Sequence, residues 1–98
     1  MIIRIVKMTF KAEKVSEFQQ LFIESKELIR NMPGCSHLEL LNDIHTPELF
    51  FTYSYWNSEN DLNNYRNSEV FANVWSRTKV LFSAKPEAWS VEQKIIKS

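Results

Sequence analysis

Few side chains in this sequence are of the types that commonly serve in catalysis or metal binding, and they are scattered along the chain. It contains two histidines, His37 and His45, and one cysteine, Cys35. No His-x-x-x-His or Cys-x-x-Cys spacing occurs, so the sequence predicts no metal site. His37 lies in a predicted strand and is a candidate general base if its strand face meets the ligand, because an imidazole titrates near neutral pH. His45 lies among turn-forming residues and is expected to be merely exposed.

The other nucleophile and nucleotide motifs are missing. Cys35 has no activating partner nearby in sequence and is predicted to be a buried, unreactive thiol. Gly34 is the only glycine. Glycine-rich phosphate loops and nucleophile elbows both need at least two. The sequence therefore predicts no nucleotide cofactor and no nucleophilic serine.

Arg4 interrupts an apolar strand face made by Ile2, Val6 and Met8. In one interpretation its aliphatic stem packs on this face while the guanidinium group reaches the rim of the domain. In the other, the guanidinium group binds an anionic group of a ligand. Both interpretations stay open at this stage.

Aromatic side chains supply the second candidate feature. Trp56, Tyr65, Phe71 and Trp75 would surround the space between the predicted helices and sheet. An apolar cleft with few polar groups is typical of a small-molecule site. The alternative is that these rings simply fill the core.

The elements that must position these residues follow from hydrophobic periodicity. Alternating apolar residues predict four strands, at residues 1–10, 35–42, 49–56 and 88–96. Helical spacing predicts a helix over 12–31 and a second helical region with N-caps at Ser58 and Ser68, which Pro86 ends.

This order, β-α-β-β-α-β, predicts an α+β fold of the ferredoxin-like type, in which a four-stranded antiparallel sheet carries its helices on one face. The other face would be bare. Neither face of strand 49–56 is polar enough for solvent, since one carries Phe51, Tyr53 and Tyr55 and the other Phe50 and Trp56. A bare apolar face predicts an obligate homodimer, formed by stacking two sheets.

Composition limits the remaining possibilities. The 98 residues are expected to form one domain, residues 1–98, and 44% of them are apolar. Twelve acidic residues balance twelve basic ones, so no nucleic-acid partner is expected. No apolar run approaches the ~20 residues of a membrane span. With no signal-peptide pattern and one cysteine, the sequence predicts a cytoplasmic protein with no membrane partner.

The sequence as a whole resembles the antibiotic biosynthesis monooxygenase domain, a branch of the dimeric α+β barrel superfamily. The residues that carry the resemblance are the first strand Met1–Phe10, the segment Pro33-Gly34-Cys35, the run Phe51–Trp56, and the downstream Ser58, Tyr65, Ser68 and Phe71.

The resemblance implies a homodimer with a pocket between the sheet and the helices. Enzymes of the family oxygenate electron-rich phenols or quinols with dioxygen and use no flavin or metal. A small aromatic ligand is implied here, with His37 or Tyr65 as the proton-transferring group. The residues expected to bind it are Arg4, Trp56, Tyr65, Phe71 and Trp75. A phenol with an ordinary pKa near ~10 is a poor base at neutral pH, which favours His37.

The sequence also departs from the family pattern. Many members place Glu where this chain has Ser54, and His where it has Tyr65. The haem-degrading branch uses Asn, Trp and His at positions that here hold Val6, Tyr65 and Trp75, so haem ligation is not expected. These departures leave open a non-catalytic, small-molecule-binding or stress-responsive dimer, or an isomerase or cyclase with a similar pocket.

Overall fold

The structure is a computed structural model that describes residues 1–97. Its elements follow the order β-α-β-β-α-α-β. They are strand β1 (Ile2–Thr9), a 3-10 turn (Ala12–Lys14), helix α1 (Val15–Arg30), strands β2 (Cys35–Asn42) and β3 (Leu49–Trp56), helices α2 (Glu59–Arg66) and α3 (Glu69–Lys79), and strand β4 (Glu87–Val91).

The four strands form one antiparallel sheet in the order β2-β3-β1-β4. The two inner strands, β1 and β3, pair along their whole length, from Ile2 opposite Trp56 to Thr9 opposite Leu49. β2 and β4 are the edges, and β4 pairs with β1 alone. The predicted ferredoxin-like α+β fold is confirmed.

The register separates the two faces of the sheet. Arg4, Ser54 and Leu38 lie side by side across β1, β3 and β2, on the face that the helices cover. The neighbouring row holds Ile3, Tyr55 and His37, on the other face. We call this second surface the open face. Its large side chains are Ile5, Leu41, Leu49, Phe51, Tyr53, Tyr55, Trp89 and Val91.

A β-bulge in β2 alters the strict alternation that the sequence predicted for this strand. Cys35 pairs with Trp56, but His37 pairs with the adjacent Tyr55, so one extra residue, Ser36, lies between them. The bulge turns Cys35 towards the helices together with Leu38, and Cys35 is buried at 7% exposure. In a regularly alternating strand Cys35 and His37 would lie on one face, and the bulge places them on opposite faces because it inverts the alternation.

Gly34 joins α1 to the sheet. It is the only described residue with positive φ, at 87°, a conformation that favours glycine. A β-carbon at this position would clash with the Asp61 side chain, so the backbone also passes close to the start of α2. The carbonyl oxygen of Gly34 accepts a hydrogen bond from the Asn57 N–H at 2.8 Å. One glycine thus connects the end of α1, the start of β2 and the entry to α2.

Serine caps start both later helices, as predicted. The Ser58 hydroxyl accepts from the Asp61 N–H at 3.1 Å, and the Ser68 hydroxyl accepts from the Phe71 N–H at 3.2 Å. The end of α3 differs from the prediction, since the helix stops at Lys79, well before Pro86. Phe82 instead forms a β-bridge with Phe10, which draws the chain back to the sheet.

The last strand is shorter than predicted. β4 ends at Val91, opposite Ile3, although alternation continues in the sequence to residue 96. β1 begins at Ile2, so a longer β4 would have almost no strand left to pair with.

Two clusters form the core on the helix side of the sheet. The larger contains Met8, Phe10, Phe18, Phe50 and Leu81, and the smaller contains Cys35, Trp56 and Leu62. Within residues 1–97, no helix is long and apolar enough to cross a membrane.

Candidate functional site

A cavity of about 380 Å³ lies between the sheet and the helices. Ligand pockets of small molecules start at about 300 Å³, so the space can hold a compact aromatic molecule. Strands β1 and β3 form its floor, and all three α-helices contribute to its walls. The rings in this region therefore do not pack it solid, which was the alternative left open by the sequence.

A polar row crosses the floor of the cavity. Arg4 pairs in register with Ser54 on one side and with Ser90 on the other. Side chains directly opposite each other on neighbouring strands lie ~5 Å apart at Cβ. The Arg4 guanidinium group donates to the Ser90 hydroxyl at 3.0 Å. Arg4 and Ser54 place a cation and a hydroxyl on the cavity floor, and Ser90 contacts Arg4 from the exposed edge strand.

Ser54 is held by the tryptophan behind it. The Trp56 indole N–H donates to the Ser54 hydroxyl at 2.9 Å, and Trp56 is completely buried. Because this bond uses a lone pair of the oxygen, the Ser54 hydroxyl hydrogen remains free to be donated. Ser54 lines the cavity, so that hydrogen is available to a ligand.

Aromatic rings form the wall opposite the sheet. Tyr65 stacks on Trp56 at a centroid distance of 5.0 Å and meets Phe71 edge-on at 5.3 Å. Phe71 in turn stacks on Trp75 at 5.9 Å. Offset and edge-on contacts of this kind stabilise one another and fix the ring orientations. The wall presents flat, rigid surfaces to a ligand.

Tyr65 carries a neutral phenol in this environment and is not a base. Burial raises the pKa of its phenol well above the ordinary value of 10, and the nearby Cys35 raises it further. The phenol is therefore protonated at neutral pH. Cys35 is equally unsuited to chemistry, since burial raises the pKa of its thiol and its S–H donates to the His37 carbonyl oxygen at 3.6 Å.

Sequence reasoning missed Arg66, which also lines the cavity. Arg66 is in the last turn of α2 and is exposed to solvent. Burial, and then repulsion from Arg66, lowers the pKa of Arg4. A signal was present in the sequence, because Leu62 and Arg66 are four residues apart and so share a helix face.

The structure brings together four of the six residues predicted for the site. Arg4, Tyr65, Phe71 and Trp75 line the cavity. Trp56 does not reach it and supports Tyr65 and Ser54 from behind.

His37 is not in the cavity. It lies on the open face, where its ring is 4.9 Å from that of Tyr55 and its Nε2 is 3.4 Å from Glu39. The condition on which its role as a base depended, that its face meets the ligand, is not fulfilled. Within residues 1–97, no three His, Cys, Asp or Glu side chains are grouped closely enough to hold a metal ion.

The fold and the cavity together define the class of protein: a ferredoxin-like α+β domain with a ligand-sized space between its sheet and helices. The family model described as antibiotic biosynthesis monooxygenase matches residues 1–75. The chain belongs to this family, as its resemblance implied. No curated protein sequence matches the chain.

Solved structures repeat the fold. A crystal structure of an antibiotic biosynthesis monooxygenase is similar to this chain with a TM-score of 0.89 at 19% identity, covering 95% of this chain and 98% of its own. A conserved protein from Methanosarcina mazei Go1 gives 0.89 at 24% identity, with coverage of 96% and 94%. Rv0793 from Mycobacterium tuberculosis gives 0.89 at 14% identity, with coverage of 99% and 98%. At these identities the likeness establishes the fold.

Proposed function

We propose that this protein is a cofactor-independent monooxygenase that acts on a small aromatic compound of the phenol or quinol type. The observation that carries the proposal is the aromatic-walled cavity with a cation on its floor, in a chain of the monooxygenase family. The cavity is large enough for a compact aromatic molecule, and its rings match a flat ligand.

The chemistry starts with an electron-rich substrate. For a CH₂ group between aromatic rings, loss of one C–H proton gives a delocalised anion. The anion passes electrons to dioxygen, a C–O bond forms, and the peroxide takes up a proton. Hydroxide leaves as the O–O bond breaks and forms water with the second C–H proton. One oxygen atom stays as a carbonyl, and the four electrons from the carbon reduce one dioxygen.

The protein's part is to stabilise the anion. Arg4 supplies positive charge, and Ser54 supplies a free hydroxyl hydrogen, on the side where the anion would lie. Fixed donors aimed at a developing charge are usually the largest contribution to such catalysis. Glu87 is the only acidic residue among the described residues that border the cavity, and its carboxylate pairs with Lys7 on the open face. The first proton would pass to solvent water at the opening of the cavity beside the exposed Arg66.

Oxygen uptake tests the proposal. We expect the protein to accelerate uptake with anthrone or with a member of a hydroquinone panel, and ¹⁸O₂ to place one labelled atom in the product. Arg4→Gln should lower the rate at least ~100-fold, as loss of an anion-stabilising donor does. Arg77→Gln is the matched control, since Arg77 is an exposed residue of α3 outside the cavity. Uptake no faster than in buffer, with the protein folded, would contradict the proposal.

The second candidate is a non-catalytic protein that binds a small molecule. The absence of a base favours it: His37 lies on the open face, and the raised pKa of Tyr65 keeps its phenol protonated. This function predicts that aromatic ligands raise the melting temperature without being converted. Product analysis after incubation with and without oxygen distinguishes the two candidates.

We also propose that a second copy of the chain covers the open face. Leu41, Trp89 and Val91 on that face are 41%, 45% and 39% exposed, which is unusual for large apolar side chains. The ionisable side chains there already have partners within one protomer, since Lys7 lies 3.9 Å from Glu87 and His37 lies 3.4 Å from Glu39. A two-fold contact would bury the apolar side chains without leaving these charges unpaired.

A further inference from the structure

The cavity wall has an excess of positive charge. Two guanidinium groups, those of Arg4 and Arg66, border a space that is otherwise mainly apolar. The one acidic residue that borders the cavity, Glu87, directs its carboxylate to the open face, where it lies 3.9 Å from Lys7. Arg4 and Arg66 form no ion pair with any described residue.

Arg4 has unused hydrogen-bond donors. A guanidinium group has five N–H donors in a fixed plane. The one hydrogen bond from the Arg4 side chain to a described residue goes to the Ser90 hydroxyl, which is neutral. A half-buried cation beside a second cation is unfavourable unless an anion joins them. The burial of Arg4 and its repulsion from Arg66 are therefore unfavourable, and a negatively charged group in the cavity would offset both.

The remaining wall restricts what can carry that negative charge. Tyr65, Phe71 and Trp75 present rings, and Phe22 and Leu38 add apolar contacts. A small inorganic anion would leave these surfaces uncovered. A flat apolar body with one anionic oxygen group would cover the rings and reach Arg4 at the same time.

We infer that the cavity selects aromatic ligands that carry an anionic oxygen group, either a carboxylate or an ionised phenol, and that Arg4 holds this group from the floor while Arg66 attracts it at the opening. The inference deepens the proposed function, because it names the charge state of the ligand, and it rests on the same cavity. It does not depend on turnover, since a non-catalytic binder would show the same selectivity.

A pair of probes of equal shape tests the charge preference. 2-Naphthoate and 2-naphthamide differ in charge and hardly in size, and quenching of tryptophan fluorescence or calorimetry measures the binding of each. We expect naphthoate to bind at least ~10-fold more tightly, the range of one hydrogen bond to a charged group. Arg4→Gln should abolish the preference. Arg66→Gln should reduce it less, because an exposed charge is screened by salt.

2-Naphthol distinguishes the two sources of the anionic oxygen. A red shift in its absorption on binding at neutral pH means that the cavity stabilises the ionised phenol. Tight binding of naphthoate without that shift assigns the site to carboxylates, and a shift with wild type that Arg4→Gln removes extends it to phenols. Either result supports the inference.

The controls keep the test decisive. Arg77→Gln removes the same kind of charge outside the cavity and should leave the preference unchanged. If Arg4→Gln does not fold, the wild-type probe pair and Arg66→Gln still give the answer. Equal binding of naphthoate and naphthamide together with no ionisation of naphthol would overturn the inference, as would a preference that a folded Arg4→Gln retains.

The inference and the proposed function can fail separately. A preference for anionic ligands without oxygen uptake would support the inference and contradict the proposed monooxygenase activity. Oxygen uptake with neutral substrates and no charge preference would do the opposite.

Discussion

At the scale of single residues, Ser54 has two roles. Its hydroxyl is the hydrogen-bond acceptor for the buried Trp56 indole and also faces the cavity. The family resemblance implies Glu at this position, so from the sequence alone Ser54 indicated only the loss of a carboxylate. The structure instead assigns Ser54 a position beside Arg4, where a free hydroxyl hydrogen can meet a ligand.

Ser54→Ala should destabilise the fold by about 1–3 kcal/mol, because the buried indole N–H loses its acceptor. Denaturant unfolding measures this loss. In a Trp56→Phe background the donor is absent, so the same substitution should cost at least ~1 kcal/mol less. An equal cost in both backgrounds would mean that the hydrogen bond contributes nothing to stability.

Tyr65 should make stability depend on pH in the alkaline range. Its pKa is raised in the folded state, so only the unfolded chain releases the proton just above pH 10. The contribution of the protonated Tyr65 phenol to the free energy of unfolding is fully present below that pH, and it is lost as the pH rises towards the folded-state pKa. Relative to Tyr65→Phe, wild type should lose up to ~1.4 kcal/mol per pH unit above about pH 10.

Urea unfolding from about pH 8 to about pH 11 measures this difference. Tyr53→Phe is the matched control, since it removes a phenol from the open face and leaves Tyr65 in place. It should show the same alkaline decline as wild type. Parallel profiles for wild type and Tyr65→Phe would show that the phenol is not held neutral by the fold.

At the scale of elements, the turn between α2 and α3 sets the aromatic wall. The Ser68 hydroxyl accepts from the first turn of α3 and donates to the Tyr65 carbonyl oxygen at 2.6 Å. One side chain therefore holds the end of α2 against the start of α3. The edge-on contact between Tyr65 and Phe71 depends on that angle.

Ser68→Ala should lower the free energy of unfolding by about 1–2 kcal/mol, since it removes an N-cap and a second hydrogen bond. It should also weaken the binding of aromatic probes, because the wall loses its fixed orientation. Ser76→Ala, which removes one exposed hydrogen bond to Asn73 in the same helix, should cost within about 0.5 kcal/mol. Thermal unfolding compares the two variants. Equal losses of stability would show that Ser68 does not support the aromatic wall.

The sequence predicted the elements best where local pattern and pairing agree. β2 and β3 have the predicted bounds, because turn-forming residues delimit both strands. α3 ends early because long-range bonds outweigh helical spacing: the Ser83 N–H donates to the Thr9 carbonyl oxygen at 2.9 Å. The bulge at Ser36 has no local signature, so the direction of Cys35 could not be predicted.

The candidate site was predictable in its aromatic part and not in its polar part. Tyr65 follows Leu62 by three residues in α2, and Phe71 and Trp75 are four residues apart in α3, so helical spacing directs all three inward, and they line the cavity. Which sheet face meets the helices was undecidable, because both faces of β3 are apolar. The predicted roles of His37 and Arg4 depended on which face meets the helices. Only the three-dimensional packing of the sheet against the helices decides this.

At the scale of the whole molecule, the sheet has a cavity on one face and an apolar surface on the other. The proposed dimer would cover the second, and neither the helices nor the loops of the described residues do so. Stability and association are therefore expected to be inseparable in this protein.

Phe51→Asp should dissociate the proposed dimer, because a two-fold contact would place two carboxylates in one apolar interface. Sedimentation at micromolar concentration measures the change. Ile23→Asp is the control, since Ile23 is 57% exposed on α1, away from the open face, and should leave the dimer intact. A wild-type protein that sediments as a folded monomer would contradict the proposed assembly.

Strand β4 takes part in both surfaces at once. Trp89 points to the open face, while its neighbour Ser90 receives the hydrogen bond of Arg4. The strand has five exposed residues and only one pairing partner, so it is the part of the sheet most prone to fray. A contact that orders β4 from the open face therefore also orders the side of β4 that meets Arg4. Self-association and ligand capture should accordingly be linked functions, each strengthening the other by the same factor.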